Sequence, residues 1–567
     1  MMSTALLFAT LLSLNGSWEF RFEEGKSIDE VGKASFTATD TIPVPGCFDA
    51  LPKWLMKRGT GLYRKTFFLD RAVDAAGLTV DGLGLCGKFW IDGREIGVDD
   101  LPWSRVELPT GPLAAGAHTV VAAVDNRFAG QKLAMDFYDF HCWGGFFHGV
   151  SLSFDNRRLF VRTRSIATGE VEIEVSDGTE GERTLVFDGT NEVRATFRRG
   201  RATVRVPDFR LWSPEHPNLH TVALDPRLSA RFGLRTIEAR DGGLYLNGKR
   251  IFLKGANRHD QQLPAGAATS ESVMLADIQN LKAIGGNFFR GAHYPQSQRF
   301  LDLCDENGVL VWEESLGWGN GPRWVDGVKT NELTDAGFAD AQLRQTRLMV
   351  CNSFNHPSVV IFAFLNECRS DLPECKVLVD RLIGAIRELD SGRLVTFACN
   401  QIEKDICNEN TDLIAINTYP GTINGNPGTH EELRERIHNM KAHGVDWATE
   451  HLARRYPGKT IVISEMGVAG LYGVRDASAA FYTEDFQDEH NNLVAEAAYG
   501  NPRIAGLAYW QFFDTRTSWR DCGPNGKKPR AMSAAGLFDA QRRPKIGVRT
   551  VTDWFRNRTP ANLEDCK

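Results

Sequence analysis

The sequence predicts a multidomain β plus α/β protein, with two antiparallel β-sandwiches followed by a (β/α)8 TIM barrel. Three observations predict it. The chain has 567 residues, more than the roughly 250–300 at which a single hydrophobic core stops growing. Up to about residue 236, short alternating runs recur between turn residues. Beyond about residue 238, apolar strand-like runs alternate with helical stretches.

The β half contains LYRKTFFL (62–69), FWIDGREIG (89–97), HTVVAAVDN (118–126), VEIEVSD (171–177) and ATVRVPDF (202–209), punctuated by Gly, Pro, Asp and Asn. Runs of this spacing read as sandwich strands. A break at SFDNRR (153–158) divides them into a first sandwich, residues 1–155, and a second, residues 156–237. Residues 238–567 form the third unit. Its β runs are IFLKGAN (251–257), GNFFRGA (286–292), GVLVWEE (308–314), VVIFAFLN (359–366), LVTFAC (394–399), DLIAINT (412–418), TIVISEM (460–466) and AGLAYWQF (505–512). SESVMLADIQNLKAIG after the first run and CKVLVDRLIGAIRELD after the fourth place apolar residues at helical spacing. Eight runs with helical connectors is the count of a (β/α)8 barrel. A doubly wound open sheet is the alternative, and it would more usually show a Gly-rich phosphate turn after an early strand, which is missing here.

Composition narrows the partners. A formal net charge of −6 lacks the concentrated positive field that nucleic acid or an anionic membrane requires. Outside the N-terminus no run of 18 or more apolar residues offers a membrane span. The opening MMSTALLFATLLSL is apolar like a secretory leader. It has no basic start, however, and runs straight into strand-like LNGSWEF. Eleven irregularly spaced cysteines without a CxxC pair suit reduced thiols in the cytoplasm better than a disulfide framework.

In a (β/α)8 barrel the reactive groups sit at the C-terminal ends of the strands. There the sequence places Asn257, Arg258, His259 and Asp260 after the first run, and Arg290 and His293 after the second. Glu313 and Glu314 follow the third and Asn366 and Glu367 the fourth. Asn417 and Tyr419 follow the sixth, Glu465 the seventh, and Trp510 and Asp514 the eighth. Glycoside hydrolysis needs two carboxyl groups flanking one bond, one protonated and one ionised. Glu367 and Glu465 each follow a strongly apolar strand, on opposite arcs of the ring, and are the pair chosen here. Glu313 and Glu314 are the rivals, more simply read as partners of a nearby arginine. Asn366 is placed to donate to a sugar hydroxyl, Tyr419 to hold Glu465, and His293 and Trp510 to offer a polar contact and a stacking face. No HExxH, EF-hand or GxSxG pattern occurs, so neither a metal nor a cofactor is expected.

Ordered motifs add a resemblance. LNGSWEF (14–20), VPGCFD (44–49), GLYRKTF (61–67), DFHCWGGFFHGVSL (139–152), LWSPEHPNLHTV (211–222), LNGKRIFLKGANRHD (246–260), NFFRGAHYP (287–295), FLNEC (364–368) and ISEMG (463–467) together resemble glycoside hydrolase family 2 along nearly the whole chain. The resemblance implies a jelly-roll-like domain, an immunoglobulin-like domain and a barrel that hydrolyses β-glycosides with retention. It implies Glu367 as acid/base, Glu465 as nucleophile and Asn366 as the 2-hydroxyl contact. His293, Tyr419 and Trp510 become pocket residues, and Asp139 an aspartate reached in from the first domain. It also implies a carbohydrate partner and, as in relatives, a dimer or tetramer. Within the family the expectation is an exo-acting β-galactosidase, with β-glucuronidase second and a non-catalytic carbohydrate-binding protein as the outside alternative. One departure bears on that order. The family's β-glucuronidases grip the sugar carboxylate with an Asn and a Lys, where this chain has Ser533 and Ala535. Asn525, Lys527 and Arg530 are nearby substitutes. Leu365 stands where many members carry Trp or Gly.

Overall fold

Strands with one buried face build the N-terminal half of the computed structural model, which describes residues 11–74, 76–325, 328–419, 429–518, 528 and 531–564. A six-stranded antiparallel sheet runs in the order Asp40–Val44, Gly16–Glu24, Gly59–Leu69, Gly116–Asp125, Cys86–Ile91, Arg94–Asp99. It faces a four-stranded sheet of Leu11–Ser13, Val150–Ser153, Gly77–Asp81 and Arg105–Pro109. Alternate side chains of both meet in one core that contains Trp18, Phe20, Tyr63, Leu78, Val80, Phe89 and Phe146. The Phe20 and Tyr63 rings pack edge to face with centroids 4.8 Å apart. A second, smaller pair of antiparallel sheets, within Leu159–Phe232, closes over Val171, Ile173, Leu185, Phe187, Phe197 and Val222.

Each of the eight apolar runs becomes a strand of one parallel barrel. The strands are Leu253–Arg258 (β1), Phe288–Gly291 (β2), Leu310–Glu314 (β3), Val359–Ala363 (β4), Leu394–Thr396 with Ala398–Cys399 (β5), Leu413–Asn417 (β6), Thr460–Met466 (β7) and Ile504–Tyr509 (β8). They pair in ring order, and the two pieces of β5 close the ring by pairing with β4 and β6. Leu253, Phe288, Leu310, Trp312, Ile361, Leu413, Ala415 and Val462 share one core cluster with Ile237, Leu244 and Leu246. Those last three belong to a small three-stranded sheet, Ile237–Arg240, Gly243–Leu246 and Lys249–Ile251, that plugs the N-terminal end of the barrel.

Helices form where apolar residues recur at helical spacing. Glu271–Ala283 follows β1 and Pro373–Leu389 follows β4, the latter with Pro at its start, where no amide is needed. The β5–β6 connection carries no helix. Its residues 400–412 lack an apolar period and instead fold around Asp405, whose carboxylate accepts from the amides of Cys407 and Asn408 and from the Tyr456 hydroxyl. Among the described residues no helix is long and apolar enough to cross a membrane, and the described cysteines are free.

The first sandwich also reaches the barrel mouth. Trp103, Tyr138, Phe140 and Trp143 belong to the cluster that contains the barrel's outer layer. Trp103 stacks on Tyr294, just beyond β2, at 4.4 Å, and His148 pairs with Asp260 beyond β1 at 2.7 Å. These contacts hold the 138–148 segment against the open end of the barrel.

Candidate active site

Side chains alternate between the two faces of a strand. On β3, Leu310 and Trp312 enter the inner core while Val311 packs in the outer layer. The same parity sends Glu314 inward and Glu313 outward. It also sends Arg290 inward after Phe288 on β2, and Asn417 inward after Leu413 and Ala415 on β6. These residues meet where the inner core ends, and Arg290 joins them. It donates to Asn257 Oδ1 (2.8 Å), Asn366 Oδ1 (2.8 Å) and Glu465 Oε1 (2.5 Å), and pairs with Glu314 Oε2 at 2.7 Å. Burial works against its charge, but Glu314 and Glu465 hold its pKa above the ordinary value.

Glu465 accepts from Arg290 on one oxygen and from the Tyr419 hydroxyl on the other at 2.5 Å, donors that suit an ionised carboxylate. Glu367 has a different setting. Asn417 Nδ2 donates to it at 3.0 Å and also to Asn366 Oδ1 at 3.0 Å, while Ser464 holds Asn417 at 2.8 Å. Enclosure by protein and then the charge of Glu465 push the Glu367 pKa up to about 8, against the hydrogen bond from Asn417. One carboxyl is thus built to stay protonated near neutrality and the other is placed among donors. The backbone at Leu365 and Glu367 takes φ of +50° and +53°, a conformation costing on the order of 1–3 kcal/mol that surrounding contacts must hold in place. Hydrogen bonds from Asn366 N to Gly317 O and from Glu367 N to Ala398 O supply part of that hold.

Two buried polar groups in this network lack a hydrogen-bond partner among the described residues: Asn366 Nδ2 and His293 Nε2. Buried polar atoms are rarely left so, and both suit the hydroxyl groups of a sugar. His293 stacks face to face on Trp510 at 5.3 Å and 13°, and its Nδ1 lies 3.2 Å from Glu314. Tyr419 packs with Trp510, Ala292 and Ala535. Asp139 comes from the first sandwich and pairs with Lys528 at 2.7 Å. Burial opposes its charge, but Lys528, with His293 and His259, holds its pKa below the usual carboxylate range.

The structure therefore brings Glu367, Glu465, Asn366, His293, Tyr419 and Trp510 into one connected group, with Asp139 at its side. Sequence reasoning left Arg290, Asn417 and Asn257 as strand-end residues without a role and read Glu314 as the partner of a nearby arginine, which is its place beside Arg290; strand parity marks all four as inward. Lys528 escaped it altogether. Asn525, Lys527 and Arg530 lie outside the described residues. Of the rival carboxylates, Glu314 is taken up by Arg290 and His293. Glu313 accepts from the Gln296 amide at 3.2 Å on the outer face, its pKa pushed up to about 7 by burial. Asp514 pairs with Lys545 at 2.7 Å and accepts from the Gly536 amide, bracing the segment after β8. Asp302, Asp305 and His356 stand close enough to share a cation. However, His356 and the Ser358 amide bind Asp305, and Arg231 binds Asp302.

A (β/α)8 barrel with this acidic, hydrogen-bonded mouth defines a glycoside hydrolase, and comparisons with known proteins agree. The family described as "Glycosyl hydrolases family 2, TIM barrel domain" matches residues 237–557, and the chain belongs to glycoside hydrolase family 2. A β-glucuronidase from Paenibacillus borealis is 27% identical over 601 aligned residues, 95% of each chain. One from Felis catus is 27% identical over 384, covering 64% of this chain and 54% of its own. A solved Eisenbergiella tayi GH2 β-galacturonidase bound to galacturonate shares the fold with a TM-score of 0.80 at 24% identity, over 97% of this chain and 98% of its own. A Ruminococcus gnavus β-glucuronidase in complex with uronic isofagomine does so with a TM-score of 0.83 at 19% identity, over 96% and 98%. None of these relatives is named a β-galactosidase, so the comparisons back the second of the two expected activities better than the first.

Proposed function

We propose that this chain is a retaining exo-β-glycosidase that acts on β-glucuronides. The observation that carries the chemistry is the divergent setting of the two glutamates: Glu367 protonated up to about pH 8, and Glu465 held by Arg290 and Tyr419. Glu367 gives its proton to the glycosidic oxygen as the leaving group departs. Glu465 attacks the anomeric carbon and forms a glycosyl ester. A water then enters, Glu367 takes its proton, and the ester is broken with the original β configuration restored. Asn366 Nδ2 donates to the 2-hydroxyl, and Trp510 and His293 form one wall for the ring. The names of the relatives support glucuronide over galactoside as the sugar.

A panel of p-nitrophenyl β-glycosides tests the sugar, with turnover of the glucuronide expected above that of the galactoside. NMR of the reaction at early times tests the mechanism. The β anomer is expected first, and an initial α product would reject the covalent route.

A further inference from the structure

We propose that Lys528 is the specificity-determining residue that binds the sugar carboxylate. This deepens, and rests on, the uronide reading. A uronic acid brings a full negative charge into a pocket that already holds Glu314, Glu465 and Asp139. Such a substrate needs a cation that is not already consumed by the catalytic network. Arg290 does not meet that need, because it is fully buried and committed to Asn257, Glu314, Asn366 and Glu465. The segment 533–535 does not meet it either. Ser533 and Ala535 carry no charge, and Ala535 is buried against Trp510, Ala292 and Tyr419, so an apolar methyl faces the pocket wall there.

Lys528 enters the site beside Asp139. Its ammonium lies 2.7 Å from Asp139 Oδ2, with side-chain exposures of 12% and 23% for the pair. The pair acts on the site from close range. The Lys528 charge disfavours protonation of His259, and the Asp139 charge is felt by Glu367 and Tyr419. Ammonium groups are compact, rotatable triple donors. One therefore bridges Asp139 and a substrate carboxylate without leaving the aspartate, and Asp139 keeps it charged and in place. Lys528 and Asp139 are 389 positions apart, so the pair joins the first sandwich to a residue far beyond β8 in the chain.

The test uses p-nitrophenyl β-D-glucuronide and p-nitrophenyl β-D-glucoside, which differ only at C6, with the whole enzyme as wild type, K528M and K528R. A charge-assisted hydrogen bond is expected to make K528M about 10- to 100-fold lower in kcat/KM on the glucuronide, chiefly through KM. The glucoside value is expected to stay within a few-fold, and K528R to recover most of the glucuronide loss. If the glucoside is not turned over, inhibition by free glucuronate against free glucose gives the same comparison. Melting temperatures separate loss of fold from loss of recognition. An equal loss on both sugars, or an unchanged ratio, overturns the assignment of Lys528 while the uronide reading stands. A wild-type enzyme that hydrolyses neither glucuronide nor galacturonide overturns the uronide reading and this assignment with it.

Discussion

The floor and the wall of the pocket are built differently. The floor is Arg290, Glu314, Asn257, Asn366, Asn417 and Glu465, all buried, with half-buried Glu367 joined to them through Asn417; all lie on or just beyond barrel strands and are bonded to one another. The wall at Asp139 and Lys528 is one partly exposed ion pair between two distant segments outside the strands. A network held by neighbouring strands fixes geometry closely, while groups on connecting segments are the ones that vary with little cost to the fold. On the function proposed above, bond cleavage belongs to the floor and sugar choice to the wall.

Glu465→Gln gives the largest effect that sharpens this contrast. It removes the proposed nucleophile while keeping one acceptor oxygen for Arg290, its amide NH2 taking the place of the oxygen that faces the Tyr419 hydroxyl, and kcat is expected to fall by on the order of 10⁴-fold or more on every sugar, since such groups act as a unit. Activity retained on any glycoside would break the assignment. Glu367→Gln is next. General acid catalysis contributes about 10²- to 10⁴-fold, and the loss should be larger for alkyl glycosides than for nitrophenyl ones, whose leaving group needs little protonation. In the wild type the alkaline limb of kcat/KM is expected near the Glu367 value of about 8, because above it the proton for the leaving oxygen is gone. That limb should vanish in the variant. Tyr419→Phe is smaller, a loss of about 10- to 100-fold for one hydrogen bond to a charged group. It should fall on glucuronide and glucoside alike in steady-state assays, and a sugar-dependent loss would blur floor into wall.

The floor was largely readable in the sequence and the wall was not, for a physical reason. Each apolar run of the barrel half became a strand, so strand ends located Asn366, Glu367, Tyr419, Glu465 and Trp510. Parity along LVWEE is enough to separate the inward Glu314 from the outward Glu313, and along FFRG it marks Arg290 as inward. Local pattern carries this because neighbouring strands are held in fixed register. The missing helix between β5 and β6 was not anticipated, although the run 400–412 carries no apolar period. Lys528 has no such signal. Its partner is 389 residues away, and nothing in KKPR distinguishes it from an ordinary surface lysine. Asp139 was found only because DFHCWGGFFHGVSL resembles a family motif.

The smallest effect concerns stability, and it asks whether the floor is strained when empty. In the unfolded chain Glu367 ionises near its ordinary value of 4.5, whereas in the fold it keeps its proton to about 8. Between those values the folded state binds the extra proton, so its contribution to stability is full below the lower value and is lost as pH rises through the upper one. Above it, Glu367 adds its charge to a pocket whose other carboxylates, Glu465 first and then Asp139, oppose it. Glu367→Gln cannot ionise, so its melting temperature relative to wild type should rise between about pH 5 and about pH 9, by a few degrees at most in a chain this long. Glu313, with its own raised value of about 7, contributes the same slope to both proteins and cancels in the difference. A difference that stays flat with pH would mean that Glu367 is no more protonated in the fold than outside it. The floor would then lack the prepared acid on which its separation from the wall depends.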